Sequence, residues 1–159
     1  MIVRQPTAEQ AADVIAVNHL AAAYAEAICR GEIDEAVMVY AADGVLRSPT
    51  TADAVGRQAI AEVIRTATAG MDFVFQTVHL GLVKVEGDEA WARFPITEWG
   101  RRNGKDVQFL GFYDDHAVRS PDGWRFASRS LLPRTLGRPS TFTGKVHDLG
   151  MLADSPLSS

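Results

Sequence analysis

The second half of the chain alternates apolar and polar residues over long stretches, and short turn sequences separate these stretches. The turns are Gly87-Asp88, Arg101 to Lys105 and Ser120-Pro121-Asp122-Gly123. A period of two is typical of strands with one buried face, and Gly beside Asp, Asn or Pro favours tight reversals. The pattern therefore predicts an antiparallel sheet of consecutive hairpins. The predicted strands are Phe73 to Thr77 continuing into Val78 to Val85, Ala90 to Trp99, Val107 to Val118 and Trp124 to Leu131.

The first 70 or so residues favour helices instead. The longest predicted helix, Thr7 to Arg30, is rich in alanine and free of Gly and Pro; Thr7 and Gln10 form a capping box, and Gly31 stands where a helix would end. Its apolar stripe includes Tyr24. Helices followed by hairpins indicate an α+β fold, with three N-terminal helices covering one face of a curved antiparallel sheet. The other predicted elements of this half are helices over Asp34 to Tyr40 and Gly56 to Ala67, and a short strand over Val45 to Pro49.

Length, charge and cysteine content limit the classes of function. The 159 residues fit one domain, which we expect over residues 1–136, followed by an extended tail over residues 137–159. The formal charge of −4, with both signs mixed along the chain, argues against nucleic-acid binding. Neither a signal sequence nor a run of about 20 apolar residues is visible, so we expect a cytoplasmic protein without membrane contact. The single cysteine, Cys29, excludes an intrachain disulfide.

His79 is the residue that most directly suggests chemistry. Alternation across Val78 to Val85 predicts that His79 shares a strand face with Gly81, Val83 and Val85. Histidine changes charge near neutral pH, so on a cavity wall it could transfer a proton; in a filled core it needs only a hydrogen-bond partner. The residues alone leave both interpretations open. The four histidines show no metal-ligand spacing, so we expect no metal site.

Several short motifs occur in an order that resembles a known superfamily. They are the helix with Tyr24, Gly31-Glu32-Ile33-Asp34, Val39-Tyr40-Ala-Ala-Asp43-Gly44-Val45, the His79 strand, Gly87-Asp88-Glu-Ala90, Gly111-Phe-Tyr113-Asp-Asp115 and Gly123-Trp124-Arg-Phe. Together they are similar to the nuclear transport factor 2-like superfamily, and within it to the SnoaL-like group. That group includes polyketide cyclases, scytalone dehydratase, ketosteroid isomerase and hexachlorocyclohexane dehydrochlorinase. The resemblance covers about residues 8 to 133.

The resemblance implies a cone-shaped α+β barrel, of the cystatin-like type, enclosing one deep apolar pocket. It further implies a cofactor-free acid/base enzyme, a lyase or an isomerase, acting on a hydrophobic cyclic or aromatic molecule. Fold alone does not fix the reaction. A binding or accessory protein without turnover, and a structural dimer with a filled core, remain alternatives. Trp91 or Leu110 on the outer face predicts a homodimer or larger homo-oligomer through the sheet.

The resemblance also assigns roles to individual residues. His79 matches the strand histidine that acts as general base or acid, and Arg129 matches an arginine that stabilises developing negative charge. Tyr24 falls where ketosteroid isomerase carries its oxyanion-stabilising tyrosine. Asp115 lies near the second acid of that isomerase, and Tyr113 shares its strand face. Alternation predicts Ala127, Arg129 and Leu131 on the inner face.

Two positions depart from the family pattern. Cys29 stands where an aspartate orients the strand histidine, and a neutral thiol cannot stabilise an imidazolium as a carboxylate does. Ser48, before Pro49, replaces the proton-shuttling aspartate of the isomerase, so the familiar isomerase route is not expected. Glu98 could supply the missing carboxylate, or it could be a solvated charge at the rim. The expected pocket-lining residues are Ser48, Cys29, Phe94, Ile96, Glu98 and Tyr113.

Overall fold

A computed structural model describes residues 5–137 and the backbone of residues 145–146. The predicted capping box forms: the Thr7 N–H donates to Gln10 Oε1 (3.1 Å) and the Gln10 N–H donates to Thr7 Oγ1 (3.3 Å). It closes a turn just ahead of the first helix, α1 (Ala11–Arg30), so the helix begins later than predicted. Gly31 ends α1 in the left-handed conformation, with φ of 76°, which glycine adopts without strain.

Two further helices follow, as predicted, with different bounds. Helix α2 (Ile33–Ala36) is a single turn that continues as a 3₁₀ turn over Val37–Val39, and helix α3 is Arg57–Thr68. Tyr40, predicted to end the second helix, instead begins the first strand. The Tyr40 side chain is fully buried in the core.

The described residues contain eight strands. Their bounds are β1 (Tyr40–Ser48), β2 (Thr51–Val55), β3 (Met71–Val78), β4 (Leu82–Glu86), β5 (Glu89–Arg102), β6 (Lys105–Ser120), β7 (Gly123–Gly137) and β8 (Lys145–Val146). The three predicted hairpin turns join β4 to β5, β5 to β6 and β6 to β7. Strand β2 was not predicted, because its sequence Thr-Ala-Asp-Ala-Val is short and mostly exposed.

The strands form one curled, open sheet in the order β2, β1, β7, β6, β5, β3, with β4 also on β5 and β8 on β7. Strand β1 runs parallel to β7, and the other pairs are antiparallel. The sheet is therefore mixed, whereas the sequence predicted an antiparallel one. Beyond Gly137 only β8 is described, so the remainder of the expected tail lies outside the described residues.

The core lies between the helices and the inner face of the sheet. On β5 the even-numbered residues face inward, so Ala92, Phe94 and Ile96 are buried. Helix α1 contributes a buried stripe that includes Tyr24 and Ile28, as its periodicity predicts. No helix in the described part of the chain combines the length and apolarity that crossing a membrane requires. The predicted α+β arrangement, with three helices over one face of a curved sheet, is confirmed.

The predicted strand through His79 is interrupted. Strands β3 and β4 both pair with β5, but the chain leaves regular pairing at residues 79–81. On β3 the even-numbered Gln76 faces inward, opposite Glu98, whereas on β4 the odd-numbered Val85 faces inward, opposite Ala90. The phase of alternation therefore changes across the break, and His79 is exposed. The predicted inward orientation of His79 is wrong.

Close packing at Gly81 explains why a glycine stands in this break. A Cβ at this position would collide with the ring of Phe94 and would lie 2.8 Å from the main-chain oxygen of Arg93. Asn18 of α1 accepts a hydrogen bond from the Gly81 N–H through Oδ1 at 2.8 Å. The glycine thus allows the chain to cross the ring of Phe94, and the helix supplies the hydrogen bond that the sheet does not.

Candidate functional site

A bulge in β7 determines which of its side chains reach the core. In the pairing with β6, Ala117 lies opposite Phe126 and His116 lies opposite Ser128, so Ala127 is an extra residue. As a result Phe126 and Arg129 are both buried although they are three residues apart. The inward position predicted for Arg129 is confirmed. Ala127 was also predicted to face inward, but it is the extra residue of the bulge and does not lie on that face.

Arg129 and Asp115 form an ion pair at the centre of the core. Arg129 Nε donates to both carboxylate oxygens at 3.0 and 3.1 Å, and Nη2 donates to Oδ2 at 2.7 Å. Neither side chain is exposed. A buried pair of this kind must satisfy both partners, because an isolated charge in a core is very costly. The structure thus brings together two of the predicted catalytic residues.

Three aromatic rings surround the guanidinium of Arg129. Its Cζ lies 4.0 Å from the ring centre of Tyr113, 4.2 Å from that of Phe126 and 4.7 Å from that of Tyr24. Such ring faces favour a cation where water is excluded. Among the described residues, however, Arg129 Nη1 has no hydrogen-bond partner. Both N–H bonds of this terminal nitrogen of a fully buried cation are therefore without an acceptor among the described residues.

Tyr40 also belongs to this cluster, although the sequence did not predict it as a site residue. Its ring packs edge-on against Tyr24 and Phe126, with ring centres 6.2 and 6.1 Å away, and its main-chain oxygen accepts from Arg57. The side chain is fully buried, yet its hydroxyl has no hydrogen-bond partner within the described part of the chain. The signal was present in the motif containing Val39 and Tyr40, but the incorrect helix boundary concealed it.

Burial perturbs the ionisation of the cluster. Loss of water raises the pKa of Asp115 to about 6, although the Arg129 guanidinium opposes this effect. Burial tends to lower the pKa of Arg129, but the adjacent Asp115 carboxylate raises it above its usual range. Burial also raises the pKa of Tyr24, Tyr40 and Tyr113, so these phenols are neutral donors at physiological pH.

Glu98 belongs to the same inner face. Gln76 Nε2 donates to Glu98 Oε2 at 2.9 Å and to the Tyr113 hydroxyl at 3.0 Å. Glu98 is partly exposed, unlike Asp115, and burial raises its pKa while the hydrogen bond from Gln76 lowers it. A carboxyl group with a raised pKa and some access from outside is suited to exchanging a proton with a bound molecule.

Cys29 lies beside the main chain of β3. Its Sγ accepts from the Gln76 N–H at 3.1 Å and donates to the Gln76 oxygen at 3.4 Å. Ser48 lies at the end of β1, where its hydroxyl lies 3.1 Å from that of Thr50. Phe94 and Ile96 are buried on the inner face of β5.

Metal ligands do not gather in the described part of the chain: no group of three or more His, Cys, Asp or Glu side chains is arranged to hold an ion. The polar groups of the core are the phenols of Tyr24, Tyr40 and Tyr113, the carboxyl groups of Glu98 and Asp115, the amide of Gln76 and the guanidinium of Arg129.

Comparison with known families identifies the fold's relatives. The SnoaL-like domain matches residues 9–130, most of the chain. The chain belongs to the SnoaL-like domain family. No curated protein sequence matches it.

Solved structures share the architecture of this SnoaL-like domain. A protein proposed to be a scytalone dehydratase from Novosphingobium aromaticivorans has 17% identity and a TM-score of 0.72, over 79% of this chain and 87% of the other. A ketosteroid isomerase-like protein from Erwinia carotovora atroseptica has 22% identity and a TM-score of 0.67, over 80% and 98%. A type 2 hexachlorocyclohexane dehydrochlorinase (LinA) has 10% identity and a TM-score of 0.75, over 81% and 90%. These similarities show the fold.

The polar core of this SnoaL-like domain differs from the arrangement expected at His79 and Cys29. His79 is exposed, and the hydrogen bonds of the Cys29 thiol go to the main chain of Gln76, so the thiol that replaces the family aspartate does not orient the histidine. The inward position on β3 near the end of α1 is taken by the amide of Gln76. Any proton transfer in the core must therefore use another group.

Proposed function

We propose that this SnoaL-like domain is a cofactor-free acid/base enzyme of the dehydratase, isomerase or cyclase type. Its substrate would be a hydrophobic cyclic or aromatic molecule bound in an apolar pocket against the inner face of β5 and β6. The observation that carries the proposal is the cluster of Glu98, Tyr113 and Arg129, in which a partly exposed carboxyl group lies beside buried hydrogen-bond donors. Membership of the family, and its dehydratase, isomerase and dehydrochlorinase neighbours, support the reaction class.

Glu98, rather than His79, is the proposed proton-transfer group. When ionised it would remove a proton from carbon next to a substrate carbonyl, and the protonated form would return that proton to another atom. Tyr24 and Tyr113 would donate to the enolate oxygen, and the Arg129 guanidinium, which lies against both rings, would stabilise its negative charge. Asp115 would hold Arg129 in place. A positioned base contributes about 10²- to 10⁴-fold.

A neutral ligand fits this charge pattern better than an anionic one. The charge of Arg129 is already balanced by Asp115 at hydrogen-bond distance. A carboxylate ligand would add a further negative charge near Asp115 and Glu98 without an uncompensated cation to meet it. We therefore expect ketones, enones or phenols as ligands.

The test is exchange of carbon-bound hydrogen. The protein is incubated in D₂O with a panel of cyclic ketones and hydroxyketones, and loss of the signal of the α-proton is followed by NMR. We expect exchange above the buffer rate with at least one compound, and a loss of at least 100-fold in Glu98→Gln. The matched control is Glu9→Gln, which changes an exposed carboxylate. Exchange that persists in Glu98→Gln would contradict the role of Glu98.

A non-catalytic binding protein is the second candidate, because the expected histidine is exposed and a thiol replaces the expected aspartate. Ligand binding stabilises the folded state by RT ln(1 + [L]/Kd), so a thermal shift reports it without turnover. Binding of ring compounds with no deuterium incorporation by any of them would favour this candidate over the enzyme.

We also propose that the protein forms a homodimer, or a larger homo-oligomer, through its sheet. Phe75 of β3 and Trp99 of β5 are paired neighbours and both are exposed, and Phe73 is exposed nearby. Exposed aromatic area of this kind often marks an interface. Sedimentation equilibrium should give a mass above 17.3 kDa that decreases toward one chain in Phe75→Lys/Trp99→Lys. A single-chain mass for the wild type would contradict this part.

A further inference from the structure

The amide of Gln76 is the only described group that bonds both the carboxyl group of Glu98 and the hydroxyl of Tyr113. Both bonds come from the same atom, Nε2. Since each of its two hydrogens is used, the Tyr113 oxygen acts as an acceptor toward Gln76 and its own O–H must donate in another direction. In this arrangement Gln76 Oε1 is buried and has no donor among the described residues.

Rotation of this amide by half a turn would reverse the pattern. Oε1 would then accept from a protonated Glu98 and from the Tyr113 O–H, while Nε2 would take the place without a partner. Each orientation leaves one polar atom unsatisfied, so neither is strongly preferred for that reason. The proton on Glu98 decides between them, because an ionised carboxylate can only accept, whereas a carboxylic acid can also donate.

We propose that Gln76 is a positioning residue that couples the protonation of Glu98 to the hydrogen-bond donor of Tyr113. With Glu98 ionised, the Tyr113 O–H points away from Gln76 and can donate to the Tyr24 hydroxyl or to a ligand oxygen. With Glu98 protonated, that O–H is bound by Gln76. This inference rests on the proposed function. In that function the coupling would make the base, Glu98, and a donor to the ligand oxygen, Tyr113, available at the same time.

The other groups around this relay do not provide the same connection. Helix α1 contributes Tyr24, whose ring packs edge-on against Tyr113 with centres 5.9 Å apart, and Cys29, whose thiol bonds the Gln76 main chain. Strands β6 and β7 contribute Asp115 and Arg129, which neutralise each other. Any of these could affect Tyr113 electrostatically, but only the Gln76 side chain joins it to Glu98 by hydrogen bonds in the described structure.

The coupling can be measured in the ligand-free protein by NMR. Glutamate carboxyl carbons, tyrosine Cζ atoms and glutamine side-chain amides are labelled, and their signals are assigned with Glu98→Gln, Tyr113→Phe and Gln76→Met. In the wild type we expect the Gln76 amide and Tyr113 Cζ signals to shift with the same midpoint as the Glu98 carboxyl. In Gln76→Met, Glu98 should still titrate, but Tyr113 should no longer follow it.

Gln108→Met is the matched control, because Gln108 is another buried glutamine whose Oε1 has no partner among the described residues. It should leave the common midpoint unchanged. A Gln76 amide signal that stays constant while Glu98 titrates in the wild type would overturn the proposal, even if Gln76→Met failed to fold. So would a Tyr113 signal that still follows Glu98 in Gln76→Met. Failure of the ketone exchange assay would leave this titration unaffected, so the two proposals fail separately.

Discussion

The thiol of Cys29 bonds both main-chain groups of Gln76, accepting from the N–H at 3.1 Å and donating to the oxygen at 3.4 Å. Strand β3 is the last strand of the sheet order, so polar groups on its outer edge have no strand to pair with. Unpaired edges invite association with other chains, and proteins often cover them. Cys29, next to the end of α1, covers this edge, which gives the cysteine a structural role where the family pattern has an aspartate.

Substitution of Cys29 should test this role. Cys29→Ala removes both hydrogen bonds, and we expect the free energy of unfolding to fall by about 1–3 kcal/mol, the usual cost of unsatisfied main-chain groups. Hydrogen exchange at the Gln76 amide should accelerate in the same variant. Cys29→Ser keeps a donor and an acceptor and should retain most of the protection. Equal protection in the alanine and wild-type proteins would show that the thiol does not hold the edge.

Breaking the central ion pair should be among the most damaging single changes. Arg129→Met leaves the Asp115 carboxylate buried without its partner, and the removal of one member of a buried pair costs about 3–5 kcal/mol. The exposed pair of Arg47 and Asp53, at 3.2 Å, is the control, and Arg47→Met should cost less than about 1 kcal/mol. Chemical denaturation measures both. Similar losses of unfolding free energy in the two variants would mean that the buried pair contributes no more to stability than the exposed one.

Glu98 should make stability depend on pH. Its pKa is raised in the folded protein, so between the unfolded and folded pKa values the folded state binds more protons. The contribution of Glu98 to stability is therefore full below the unfolded value and is lost as the pH rises through the folded one. Glu98→Gln should increase the free energy of unfolding relative to wild type at pH 8 but not at pH 4. Denaturation curves at both pH values, with Glu9→Gln as the exposed control, measure the difference. A stabilisation equal at both pH values would contradict this assignment.

Burial raises the pKa of Asp115 as well, to about 6, so its effect on stability has the same direction as that of Glu98. The contribution of Asp115 to stability should accordingly decrease between about pH 4 and pH 6, and the difference in unfolding free energy between Glu98→Gln and Glu98→Gln/Asp115→Asn measures it. A contribution that instead increases with pH through this window would mean that Arg129 holds the pKa of Asp115 below its unfolded value.

His79→Ala should have little effect. The side chain is exposed, and substitutions at such positions usually change the free energy of unfolding by less than about 0.5 kcal/mol. Deuterium exchange into any accepted ketone should also be unchanged. A loss of exchange of 10-fold or more with unaltered stability would restore the histidine as a proton-transfer group and displace Glu98.

Local patterns were sufficient for most elements. The capping box of Thr7 and Gln10, the glycine that ends α1 and the three hairpin turns depend on residues close in sequence, and each was found where predicted. The inward position of Arg129 was also correct, although the bulge at Ala127 was not anticipated. His79 was misplaced because its face was extrapolated from Val83 and Val85 across the break at residues 79–81, where Gly81 packs closely on Phe94.

The amino-acid sequence by itself determined the order of helices and hairpins and the α+β class, because periodicity and turn chemistry act over a few residues. Only the tertiary structure decided which polar side chains meet. The contact of Gln76 with Glu98 and Tyr113, and that of Arg129 with Asp115, join different strands and depend on register, bulges and strand breaks. A shift of one residue in any of these turns a side chain from the core to the surface, and such a shift is set by packing between elements distant in the sequence.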